Sequence, residues 1–161
     1  RIDGYTWSEP YVDNTQVVVV DANSGIKTKD DLAGKVVAVQ AASSALEAIN
    51  SDDNKDLKAS FGELLEVPDY NSAFMNLEAG AVDAVALDIG VAKYQVEKRG
   101  DQFVILDDKI SSEVYGIGFL KGNESLRDEV QTTLNEMVSD GTFGKIAEKW
   151  ELQDNVCLEA K

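Results

Sequence analysis

The chain has 161 residues, 43% of them hydrophobic, enough for one ordinary domain or for two small lobes with packed cores. Thirty acidic residues against fifteen basic ones give a net charge of -15, which repels nucleic-acid phosphates and anionic lipid and argues against a nucleic-acid partner. The absence of histidine and the single cysteine, Cys157, exclude zinc sites of the Cys/His type, imidazole-based catalysis and an intrachain disulfide. The sequence opens at Arg1 without a methionine, a basic-then-apolar leader or any run of membrane-spanning length, so a fragment or a processed form is expected.

In chain order, Gln16 to Val20 is a β-branched run suited to a strand buried on both faces. Lys35 to Val39 is a second strand, followed at once by Ser43, Ser44 and the helical pattern ALEAIN. Glu63 to Val67 is a third. Asp69, Asn71 or Ser72 can then cap a helix through Phe74, Met75 and Leu77 to a stop at Gly80. Ala84 to Leu87 predicts a fourth strand, and Ile89 to Lys98 a helix that ends at Arg99-Gly100, with cations in its last turn. Phe103 to Leu106 and Tyr115 to Leu120 complete the strands. Leu126, Val130, Leu134 and Met137 form one apolar helical stripe, Gly141 ends it, and Phe143, Ile146, Ala147 and Trp150 form the next. The alternation predicts an α/β fold with a largely parallel sheet.

Ligands of such sheets sit at the carboxyl ends of the strands, where loops lead into helix N-termini. Two stretches qualify. Gln40 to Ser44 bridge a strand and a helix, and backbone N–H groups at a helix start, with the Ser43 and Ser44 hydroxyls, suit a carboxylate or another anion. Serine in that place is also the ordinary N-cap, and the pattern alone favours the cap. Asp88 stands where the fourth strand meets its helix, in GAVDAVALDIGVAKY. There it reads as a cap for the N–H groups of Gly90 or Val91, as a ligand group, or as both.

The stretches WSEPYVDNTQVVVV, GIKTKDDLAGKVVAVQAASSALEAI, LEAGAVDAVALDIGVAKY and VYGIGFLKGNESLRDEVQTTLNEMVSDGTFGKIAEKW, in that order, resemble the family 3 solute-binding proteins of ABC transporters for polar amino acids. The resemblance implies a type II periplasmic-binding-protein-like fold in which two hinged lobes trap a zwitterionic amino acid and deliver it to permease subunits. It implies no enzyme activity, no cofactor and no metal. Family members run longer at the N-terminus, so the expectation is one complete lobe plus the C-terminal part of the other. Residues 1–15 would be a remnant of lobe 1, 16–114 lobe 2, and 115–161 the C-terminal segment of lobe 1, with QVVVV and YGIGF as hinge strands. Localisation would be periplasmic or extracellular, with lipoprotein anchoring through a segment outside this sequence.

The family motif also implies roles. Arg1, six residues before Trp7 of the WSEPY signature, matches the arginine that grips the ligand carboxylate, a use suited to its planar fork. Trp7 stands where phenylalanine is commoner, and Ser8 follows it in the signature; both join the expected ligand-binding set. Gln40, Ser43 and Ser44 match a segment in which relatives carry glycines and a threonine that contacts the carboxylate; here Ala41 and Ala42 take the glycine places. Asp88 matches the aspartate that takes the α-ammonium, whereas Asp83 matches a structural position. Two other readings share the fold: a ligand-sensing domain of a signalling protein, and a small-carboxylate dehydratase with Glu47 or Glu113 as acid. The shortened first lobe leads to the expectations of weak ligand binding or none by a single chain, and of a homodimer or domain swap through the last two helices.

Overall fold

The computed structural model describes residues 2–159. They divide into two compact units, a continuous one from Thr15 to Ser112 and a second assembled from the residues up to Asn14 and those from Glu113 onward.

The continuous unit is built on five strands: β3 (Gln16–Asp21), β4 (Val36–Gln40), β5 (Glu63–Val67), β6 (Ala84–Asp88) and β7 (Phe103–Ile105). Their order across the sheet is β5-β4-β6-β3-β7. β4 runs parallel to β5 and β6, while β3 runs antiparallel to β6 and β7. Four strands therefore point one way and β3 alone runs against them. β3 enters at Gln16, level with the carboxyl end of β6, because it pairs Gln16 with Asp88.

Helices α1 (Ser44–Ile49), α2 (Lys55–Ser60), α3 (Tyr70–Glu78) and α4 (Ile89–Arg99) cover the two faces. Alternation along β3 splits the core: Val17 and Val19 pack with Phe74, Leu77 and Ala92 from α3 and α4. Val18 and Val20 pack with Leu32, Ala45 and Ile49 beneath α1 and α2. Val19, Val20, Val37 and Val39 have no exposed surface, which explains why these strands read as unbroken apolar runs. Helix α2 lies in a stretch without an apolar stripe of helical period, and none of its residues is buried.

Asp83 ties the amino end of this sheet. Its Oδ2 accepts the Val36 N–H at 2.8 Å, its own N–H donates to the Val36 carbonyl at 2.8 Å, and Lys35 Nζ lies 3.8 Å from Oδ1. Gly80 ends α3 at φ +70° and Gly100 ends α4 at φ +66°, left-handed positions that glycine occupies without a Cβ penalty.

The second unit pairs β1 (Tyr5–Trp7) with β9 (Gly118–Leu120) and β2 (Val12–Asp13) with β8 (Val114–Tyr115), both antiparallel. The strand expected over 115–120 is thus two short strands with different partners. The break falls at Gly116-Ile117, where Ser8 takes both main-chain groups of Ile117: the Ile117 N–H donates to Ser8 Oγ at 2.9 Å, and the Ser8 N–H donates to the Ile117 carbonyl at 3.0 Å. Helices α5 (Glu124–Ser139) and α6 (Thr142–Lys149) complete the unit, with Gly141 between them at φ +80°. Among the described residues no helix is long and apolar enough to cross a membrane.

Candidate functional site

The carboxyl ends of β4, β5 and β6 meet one edge of the five-stranded sheet, and each leads into a helix whose first turn is capped by the side chain just ahead of it. After β6, Asp88 is in extended conformation (φ -72°, ψ 151°), and its Oδ1 accepts the Val91 N–H at 3.0 Å. The next N–H, of Ile89, donates to the Thr15 carbonyl at 2.9 Å, which fixes this turn against the start of β3. Asp88 is half-buried, at the rim of the sheet rather than inside it. A carboxylate fits there because the N-terminal turn of α4 supplies both an N–H donor and the positive end of the helix dipole.

After β4, the Ser43 hydroxyl donates to the Gln40 carbonyl at 2.7 Å and accepts the Leu46 N–H at 3.2 Å. That tight loop carries Ala42 at φ +57°, one of two non-glycine residues with positive φ among the described residues. An alanine in the left-handed region costs about 1–2 kcal/mol relative to its relaxed backbone. The turn thus holds the geometry that glycine would give freely, with Ala41, Ala42 and Ser44 exposed on it. The Gln40 amide reaches the Pro68 carbonyl at 3.3 Å and Ala41 N–H the Val67 carbonyl at 2.9 Å, so this loop leans on the end of β5.

After β5, Asp69 caps α3, accepting the Ser72 N–H at 2.9 Å and the Ser72 hydroxyl at 3.0 Å. These bonds, the main-chain one foremost, hold its carboxyl below the usual carboxylate range. The register sets the spacing of the other two loops. Val39 pairs with Ala86, so Gln40 stands level with Leu87 and Asp88 one residue further on, at the same end of neighbouring parallel strands that lie about 4.8 Å apart.

The predicted residues therefore fall into three groups. Gln40, Ser43, Ser44 and Asp88 come together at one edge of the Thr15–Ser112 unit. Trp7 and Ser8 belong to the other unit. There the Trp7 ring lies on Gly118, where an added Cβ would come within 3.1 Å of it, and 5.5 Å from the Tyr5 ring. Ser8 is buried, donating its hydroxyl proton to the Glu9 carbonyl at 2.8 Å as it accepts from Ile117. Arg1 lies outside the described residues. Cys157 is a free, exposed thiol whose pKa is raised by burial and by the charge of Asp13. Among the described residues no group of three or more Cys, Asp and Glu side chains could hold a metal ion. Sequence reasoning missed Thr15, whose contribution is a carbonyl that any residue could supply, and the left-handed turn at Ala42, for which alanine gives no signal.

A mixed sheet with capped helix starts converging on one edge defines an α/β unit, and the family match specifies its kind. Residues 1–153 match the Bacterial extracellular solute-binding proteins, family 3, and the chain belongs to that family. It is 31% identical over 149 residues to the L-cystine-binding protein TcyJ of Escherichia coli (strain K12), covering 91% of this chain and 53% of that protein. Against the ABC transporter glutamine-binding protein GlnH of Bacillus subtilis (strain 168) it is 29% identical, covering 92% of this chain and 52% of the other. Among solved structures, an ABC uptake transporter substrate binding protein from Streptococcus pneumoniae with bound histidine superposes with a TM-score of 0.83 at 25% identity, over 98% of this chain and 65% of that one. An ancestral arginine-binding protein bound to glutamine gives a TM-score of 0.72 at 35% identity, over 93% and 65%. The chain spans about half the length of the curated relatives it matches.

Proposed function

We propose that this chain carries the amino-acid-binding function of an ABC transporter's substrate-binding component, working outside the cytoplasmic membrane and delivering its ligand to permease subunits. It acts by binding and release without turnover. The observation that carries the reading is the placement of Asp88 and the Gln40–Ser44 loop at the same end of two neighbouring parallel strands. A zwitterionic amino acid presents its ammonium and carboxylate a few ångströms apart, which suits one acid and one donor-rich helix start on adjacent strands. Asp88 takes the ammonium with the carboxylate oxygen lone pairs that its cap bond leaves free. The Ser44 hydroxyl and the first N–H groups of α1 take the carboxylate, joined by the Ser43 hydroxyl once its proton turns from the Gln40 carbonyl to the ligand. Arg1, Trp7 and Ser8 enter the same proposal through the signature alone.

The test is a titration of the isotopically labelled chain with each of the common amino acids at millimolar concentration. The main-chain amide resonances of residues 43–46 and 89–91 should move together and saturate for at least one ligand, while those of α2 stay in place. If no amino acid moves either group, the proposal fails.

A further inference from the structure

Gln16 opens β3 with only 1% of its surface exposed, as deeply buried as Val18 two residues on. Its main chain is fixed from one side: the Gln16 N–H donates to the Ser111 carbonyl at 2.9 Å, and the Gln16 carbonyl accepts the Ile110 N–H at 2.8 Å. The Ile110 carbonyl in turn accepts the Asn54 side-chain amide at 3.0 Å, and the same amide donates to the Ala48 carbonyl in the last turn of α1 at 3.0 Å. Asn54 thus ties α1 to the segment that holds Gln16.

Across β3 and β6, Gln16 pairs with Asp88. Because both main-chain groups of Gln16 turn toward residues 110 and 111, the Gln16–Asp88 pair is of the narrow, non-hydrogen-bonded antiparallel type. Side chains of such a pair stand next to each other, with Cβ atoms about 4.5–5.5 Å apart. Alternation places both on the face of α1, since Val18, Val20, Ala84 and Ala86 pack there with Ala45 and Ile49. Gln16 Oε1 is buried and accepts no hydrogen bond. An acceptor shut away from water carries a desolvation cost that an arriving N–H donor removes. Asp88, half-buried beside it, uses Oδ1 on the Val91 N–H and keeps further lone pairs. A carboxylate and a carboxamide oxygen on adjacent positions call for one group that is cationic and donates at least two N–H bonds.

We propose that Gln16 Oε1 is the second acceptor for the ligand's ammonium, so that the site takes amines with two or more N–H groups and rejects tertiary and quaternary ones. This inference rests on the reading of Asp88 as the ammonium site and adds to it a residue and a limit on the substrate. Amide resonances of residues 89–91 report the binding of each of the common L-amino acids at millimolar concentration. For any that saturates, the wild-type chain should bind the N,N-dimethyl derivative, with its one N–H, roughly tenfold or more weakly. Gln16→Met removes the acceptor at similar volume and should weaken the parent amino acid by the same factor, with an unchanged far-ultraviolet dichroism spectrum. Gln16→Glu keeps an oxygen acceptor at that place and should bind within about threefold of the wild type. Equal binding of the dimethyl derivative overturns the inference. So does a Gln16→Met chain that binds as the wild type does, or a Gln16→Glu chain that loses as much as Gln16→Met. Those results leave the proposed function standing, whereas failure of every amino acid to move the resonances overturns both.

Discussion

Replacing Asp88 by asparagine separates the two roles that its position allows. The wild-type side chain caps α4 through a 3.0 Å bond from the Val91 N–H. Asparagine caps a helix as well as aspartate does, so the substitution keeps that bond and loses only the charge near the helix dipole, worth about 0.3–1 kcal/mol at a partly exposed terminus. The ligand ammonium loses more. A hydrogen bond to a charged group contributes about 1.5–3 kcal/mol, so Asp88→Asn should weaken amino-acid binding roughly 10- to 150-fold. Asp88→Ala removes the cap as well and should cost a further ~1 kcal/mol of stability without weakening binding much beyond the asparagine variant. Ligand titration followed by amide resonances measures the first quantity, and urea unfolding followed by dichroism measures the second. If Asp88→Asn binds as the wild type does while Asp88→Ala loses stability, Asp88 is a cap alone and the assignment of the ammonium is refuted.

Further outcomes follow from the same geometry. Ala42→Gly relieves the left-handed strain at φ +57° and, after the entropy that glycine adds to the unfolded chain, should stabilise the protein by about 0.5–1 kcal/mol in urea unfolding; a loss of stability would show that the turn is not strained. Gly62→Ala should cost about 1–3 kcal/mol or more, because its Cβ would lie 2.5 Å from the main-chain oxygen of Gly34, and a neutral result would mean that the two loops part easily. The lowered pKa of Asp69 makes its cap stabilising above the ordinary carboxylate value near 3.8, and that stability is lost as pH falls through the lower folded-state pKa. Asp69→Asn should therefore flatten the stability profile below about pH 3.8 while leaving its slope near neutral pH unchanged, and an unaltered acid limb would count against the cap.

The continuous unit was legible where burial is two-sided. Strands buried through their middles, such as Val36–Gln40 and Ala84–Asp88, leave apolar runs, and the helices that follow β4, β5 and β6 announce themselves through Ser43, Asp69 and Asp88. A sheet with one opposed strand was harder to see, because strand direction leaves no trace in side-chain periodicity. The second unit was less legible still. Its strands of two or three residues are too short to carry a period, and the split at Gly116-Ile117 depends on Ser8, 109 positions away. For the candidate site, composition narrowed the chemistry and strand ends located it. Capping and ligation use the same residue types at the same place, so only the family motif distinguished them for Asp88.

The unit assembled from both chain ends also sets an order of events during synthesis. Thr15–Ser112 is one uninterrupted segment with its own core, so it can fold as soon as it clears the ribosome. β1 and β2 cannot pair until β9 and β8 emerge more than a hundred residues later. Until then the apolar residues Tyr5, Trp7 and Val12 wait without their strand partners. Residues 5–13 are therefore made before the Thr15–Ser112 unit and paired after it, so a chaperone that holds this segment would act on the one unit and leave the other untouched.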